Sequence, residues 1–103
     1  MNGWVEVGPA SALASGAHLE GEVDGYAVTV VRIAGQLYAW EDRCTHDGEP
    51  LAGAEIDGTE VICPRHGARF CLRTGAALTP PAYEPLRLFR AREDSGQIWV
   101  APR

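Results

Sequence analysis

The chain is predicted to be all-β, an antiparallel sandwich or barrel of short strands. Three observations point there. Turn signals built on glycine recur every eight to twelve residues along much of the chain. The segments between them are rich in β-branched and aromatic residues, which suit a pleated, half-buried surface. Helical patterning is nearly absent, and only Pro9–Ser15 has room for a helical turn, which Gly16 would end. At 103 residues the chain makes one compact domain with its own core and little space for a second.

The elements follow in order. The opening run Met1-Asn2-Gly3-Trp4-Val5-Glu6-Val7 reads as a first strand. Asp24-Gly25 reads as a tight hairpin turn, because this pair tolerates the positive φ that such turns require. It joins a strand near His18–Val23 to one over Tyr26–Ile33. Ala34-Gly35-Gln36 turns the chain into Leu37–Glu41. Asp57-Gly58 precedes a short strand at Thr59–Ile62. Arg73-Thr74-Gly75 follows another at Ala68–Leu72, and Pro80-Pro81 makes a loop that interrupts regular structure. Asp94-Ser95-Gly96 then separates Leu86–Ala91 from Gln97–Val100.

Charge and composition exclude several functions. Fourteen acids against nine bases give a net charge of −5, without the clustered basic residues that nucleic-acid binding needs. Mild acidity fits solubility, and it also suits docking on a basic patch of a protein partner. No apolar run approaches the roughly 20 residues that span a bilayer. The first basic residue is Arg32, so no basic leader precedes the strands, and a cytoplasmic protein is expected. Three cysteines is an odd count, which argues against a disulfide framework and for a reducing compartment.

Two short pairs carry the chemistry: Cys44-Thr45-His46 and Cys63-Pro64-Arg65-His66, separated by residues 47 to 62. Each joins a thiol to an imidazole, and each follows the end of an apolar strand. Such ligands suit zinc or an iron–sulfur centre. Zinc sites usually pair like ligands at spacings of two to five residues, and the one-residue gap of Cys44-x-His46 is tight for one tetrahedral ion. A binuclear [2Fe–2S] centre relieves that strain, since each loop gives its Cys to one iron and its His to the other.

The boxes Cys44-Thr45-His46-Asp47-Gly48 and Cys63-Pro64-Arg65-His66-Gly67 resemble the C-T-H-x-G and C-P-x-H-G boxes of the Rieske family. The likeness continues through Phe70-Cys71-Leu72-Arg73-Thr74-Gly75 and Pro80-Pro81, and it is similar to the small Rieske ferredoxins that feed ring-hydroxylating oxygenases. The resemblance implies one [2Fe–2S] cluster, with Cys44 and Cys63 on the buried iron and His46 and His66 on the outer one. It also implies a Rieske-like antiparallel β-sandwich base, about residues 1–41 and 83–103. A small inserted cluster-binding subdomain would occupy about residues 42–82.

Departures from relatives refine this expectation. Rieske subunits of respiratory complexes carry an extra Cys in each ligand loop, where this chain has Glu49 and Arg65. Those relatives also place Ser and Tyr hydroxyls near the cluster, where this chain has Ala68 and Phe70. Fewer donors to sulfur should lower the potential, toward roughly −150 mV. Gly48 and Gly67 are expected to let backbone N–H groups approach the cluster. Cys71 is expected to be a small buried apolar residue. Once His46 and His66 are committed, His18 alone cannot build the two-histidine iron site of an oxygenase. His18 is read as an exposed strand residue.

The expected function is therefore a carrier of single electrons, not an enzyme. It would take them from a flavoprotein or iron–sulfur reductase and deliver them to a terminal oxygenase, with no small-molecule substrate of its own. Alternatives are the small Rieske subunit of an assimilatory nitrite reductase, a ferredoxin for another redox system, and a zinc-stabilised interaction module.

Overall fold

The computed structural model describes residues 3–45, 47–51 and 53–103. Among the described residues nine strands form two antiparallel sheets. The larger contains β1 (Val5–Pro9), β2 (Leu19–Val23), β3 (Tyr26–Ile33), β4 (Gln36–Glu41), β8 (Leu88–Asp94) and β9 (Gln97–Pro102), in the order β1-β9-β8-β4-β3-β2. The smaller contains β5 (Glu55–Asp57), β6 (Glu60–Ile62) and β7 (Arg69–Cys71), and is inserted between β4 and β8. The all-β prediction holds. The Pro9–Ser15 segment becomes a 3₁₀ turn at Ala10–Gly16. Among the described residues no helix is long and apolar enough to cross a membrane.

Three hairpins of the large sheet share one device. Asp24-Gly25, Ala34-Gly35 and Ser95-Gly96 each put two successive residues at positive φ, from +50° at Ala34 to +83° at Gly25. Such two-residue loops match the twist of antiparallel strands. They fix the register Val23↔Tyr26, Ile33↔Gln36 and Asp94↔Gln97.

Two differences from expectation have local causes. β5 is not legible in the sequence because Glu55-Ile56-Asp57 carries a single apolar residue, and it is held by pairing Ile56 with Val61. The strand expected at Leu86–Ala91 instead runs Leu88–Asp94. The Leu86 N–H is held at 2.7 Å by the Gly75 carbonyl, outside the sheet, while Arg92 and Glu93 continue the ladder opposite Trp99 and Ile98.

The large sheet is buried on both faces, which explains the continuous apolar run of β3. Val28, Val30, Phe89, Ile98 and Val100 pack on one face with Leu13 of the 3₁₀ turn. On the other, Val31, Trp40 and Leu88 join Leu51, Val61, Phe70 and Leu72. The sheet curls until β1 and β2 nearly meet. A methyl at Gly21 would lie 2.5 Å from Val7 Cγ1, so only glycine permits that approach.

Candidate metal centre

The second apolar cluster also contains Cys44 and Cys63, 0% and 1% exposed. Each cysteine opens a loop with the same backbone bonding. The Cys44 N–H donates to the Glu49 carbonyl at 2.8 Å, and the Gly48 N–H returns to the Cys44 carbonyl at 2.8 Å. In the second loop Cys63 donates to Ala68 at 2.8 Å, and Gly67 returns to Cys63 at 2.9 Å. Gly48 and Gly67 close these loops at φ +76° and +73°.

The N–H groups of Gly48 and Gly67 themselves are occupied by the cysteine carbonyls, so any N–H groups that approach a cluster here belong to other residues of the loops. A Cβ at Gly67 would meet nothing within 4 Å. What the protein itself requires of glycine there is the left-handed backbone.

Cys71 opens a third loop of the same form. Its N–H donates to Ala76 at 2.9 Å, and the Gly75 N–H returns to it at 2.7 Å. This loop lies at the other end of β7 and carries Thr74 where the second loop has His66. Cys71 is half-buried, and its thiol is not simply an apolar filler. A hydrogen bond with the Thr74 side chain, outweighing partial burial, draws its pKa below the ordinary thiol value, aided by the N–H groups of Thr74 and Arg73.

The ligand atoms of Cys44, Cys63 and Asp47 all lie within 4.8 Å of one another. Two sulfurs each about 2.3 Å from one metal ion lie about 3.8 Å apart at a tetrahedral angle, inside that limit. The donor set therefore fits a metal held by both thiolates. His66 follows two residues beyond Arg65's neighbour Pro64, its side chain 49% exposed and its Nδ1 3.7 Å from Asp47 Oδ2. His46 lies outside the described residues. His18 is not an exposed strand residue: it precedes β2, is half-buried, and its Nε2 sits 2.8 Å from Glu20 Oε2.

Side chains also fasten the first loop to its surroundings. The Thr45 hydroxyl donates to the Glu84 carbonyl at 2.7 Å, joining it to the segment after Pro80-Pro81. The Asp42 carboxylate accepts the Leu51 N–H, bridging the loop's two ends. Asp47 accepts from Arg65 of the second loop: Nε to Oδ2 at 2.9 Å and Nη2 to Oδ1 at 3.3 Å. From the sequence Asp47 had no role beyond its place in the first box, and Arg65 was read only as a replaced cysteine. Their opposite charges, each beside the ligand histidine of its box, were the available signal.

A curled antiparallel sheet carrying a small three-stranded sheet, with two equivalent Cys loops converging, defines an iron–sulfur protein of the Rieske type. Residues 3–90 match the model of the Rieske [2Fe-2S] domain, and the chain belongs to that family. It is 33% identical to Ferredoxin CarAc of Metapseudomonas resinovorans over 95% of this chain and 92% of that protein. It superposes on the ferredoxin of carbazole 1,9a-dioxygenase from Nocardioides aromaticivorans IC177 with a TM-score of 0.89 and 33% identity, covering 99% of this chain and 100% of the other. A similar chain occurs in a complex of reduced oxygenase and oxidized ferredoxin in carbazole 1,9a-dioxygenase, with a TM-score of 0.85, 33% identity, and 95% and 92% coverage. The chain is thus a Rieske-type ferredoxin, an electron carrier rather than a catalytic subunit. These relatives do not favour the nitrite reductase subunit or the zinc module.

Proposed function

We propose that this ferredoxin passes single electrons from a flavoprotein or iron–sulfur reductase to the terminal oxygenase of a ring-hydroxylating system, in the cytoplasm. The observation that carries the reading is the convergence of Cys44 and Cys63 from two loops of identical backbone bonding. Likeness to the ferredoxin of an oxygenase complex supports the acceptor. The odd cysteine count supports a reducing compartment.

In this assignment Cys44 and Cys63 hold one iron and His46 and His66 the other. Residues 42–82 form the cluster-binding subdomain on a base of residues 1–41 and 83–103. The cluster, when bound, takes up and gives back one electron at a potential raised by its imidazole ligands. The buried thiols are shielded from water by Leu51, Ala68 and Phe70, each at most 1% exposed. The half-exposed His66 ring lies on the solvent side, where a partner can approach it.

The test is spectroscopic first. The purified protein should be red-brown, and when reduced it should give a paramagnetic resonance signal averaging below g of about 2. Cys63→Ser should abolish both. Mixing reduced protein with a ring-hydroxylating oxygenase should oxidise it in a single fast phase. Colourless protein holding zinc would end the proposal, and failure to transfer electrons to any such oxygenase would end its second half.

A further inference from the structure

Each ligand loop is pinned to itself, but among the described residues no backbone hydrogen bond joins residues 44–49 to residues 63–68. The connection is made by side chains. Asp47 and Arg65 are eighteen residues apart in sequence and meet across the gap in a two-pronged contact. Asp47 Oδ1 also accepts the Glu49 N–H at 3.0 Å, so the same carboxylate shapes its own loop. The Asp47 side chain is only 19% exposed. Arg65 Nη2 also lies 3.8 Å from Cys63 Sγ.

We propose that Asp47 and Arg65 form an ionic clamp that keeps the two ligand loops in register, and that Arg65 carries the clamp through to the Cys63 sulfur. Both are positioning residues. A planar guanidinium suits this place because one fork grips the carboxylate while a nitrogen remains near the thiolate. Pairing the charges lets the loops be joined without adding net charge beside the metal. The clamp links side chains that the Cys and His boxes alone leave independent. The inference rests on the assignment of Cys63 as a ligand.

The experiment uses the protein as purified, with Asp47→Asn, Arg65→Gln and the double variant. Each single variant should release the cluster about threefold faster under chelator challenge, read by loss of visible absorbance. The double variant should be no faster than the quicker single, because one shared contact is lost in all three. Amide exchange at Gly48 and Gly67 should accelerate in every variant, while amides of β3 and β9 serve as controls for intact folding. The reduction potential should fall in Arg65→Gln, which removes positive charge and a donor near sulfur, and rise in Asp47→Asn, which removes negative charge. Arg65→Lys should restore retention only in part, since a point charge cannot fork. Independent, additive effects on release would overturn the clamp, as would unchanged release in either single variant. If Cys63→Ser kept the visible spectrum, the ligand assignment would fail instead, and the coupled amide exchange would still report on the clamp.

Discussion

Gly67 and Gly75 occupy the same place in two loops of the same form, yet alanine should affect them very differently. Both have left-handed backbone, at φ +73° and +84°. Forcing a Cβ into that conformation costs about 1–2 kcal/mol. At Gly67 the protein adds no clash to that cost, since no protein atom lies within 4 Å of the added methyl. At Gly75 the methyl would sit 2.6 Å from the Leu86 carbonyl oxygen and 3.3 Å from Leu88 Cγ. Backbone there must move, which adds about 1–3 kcal/mol. The movement also strains the 2.7 Å bond from the Leu86 N–H to the Gly75 carbonyl, a bond worth about 0.5–1.5 kcal/mol. Gly75→Ala should therefore cost roughly 3–6 kcal/mol in total. That is a large part of the stability of a small domain. The assay is thermal unfolding by circular dichroism at one scan rate, where each kcal/mol moves the midpoint by about 4–8 °C. Equal losses at the two glycines would refute the argument that the third loop is pressed against the start of β8.

Ala34→Gly should stabilise the protein by about 0.5–1 kcal/mol, because an exposed alanine at φ +50° gains nothing from packing to offset its strain; a lower urea midpoint would contradict this. Alkylation of Cys71 by iodoacetamide, followed by mass spectrometry, should titrate with a midpoint below the ordinary thiol value, and Thr74→Val should move it upward. Since the folded pKa is the lower one, stabilisation from this thiolate is complete above the unfolded pKa and disappears as pH falls through the folded value. Cys71→Ser should leave the visible spectrum unchanged. Film voltammetry should place the potential near the low end of the Rieske range, roughly −150 mV, and Ala68→Ser should raise it; a clearly positive wild-type value would overturn this reasoning.

The features legible in the sequence were local ones. Asp24-Gly25 and Ser95-Gly96 announce their hairpins because only a few residue types accept two successive positive φ values. The ligand boxes are legible because thiol and imidazole at such spacings have few other uses. What could not be read depends on distant register. β5 exists because Val61 offers Ile56 a partner. The Asp47–Arg65 contact depends on β4 and β6 delivering their loops to one place, which no local pattern encodes. The likeness of the Cys71 loop to the two ligand loops was hidden for another reason: the shared pattern lies in backbone bonds, and only Cys and Gly four residues apart mark it in the sequence.

The placement of the two thiols also explains why the base and the small sheet are built together. Cys44 and Cys63 belong to the same apolar cluster as Trp40 of β4 and Phe70 of β7. The packing that seats the small sheet on the large one therefore also sets the distance between the sulfurs. Interiors packed to this density resist rearrangement when a charge is added. An electron carrier benefits, because its ligands change position little between oxidised and reduced states. The half-exposed His66 faces the other way, toward solvent. In the proposed assignment the chain is thus rigid and dry on its thiolate side and open on its imidazole side. Loosening the core beneath the thiols, for instance by Leu51→Ala, should speed cluster loss without changing which face the oxygenase meets.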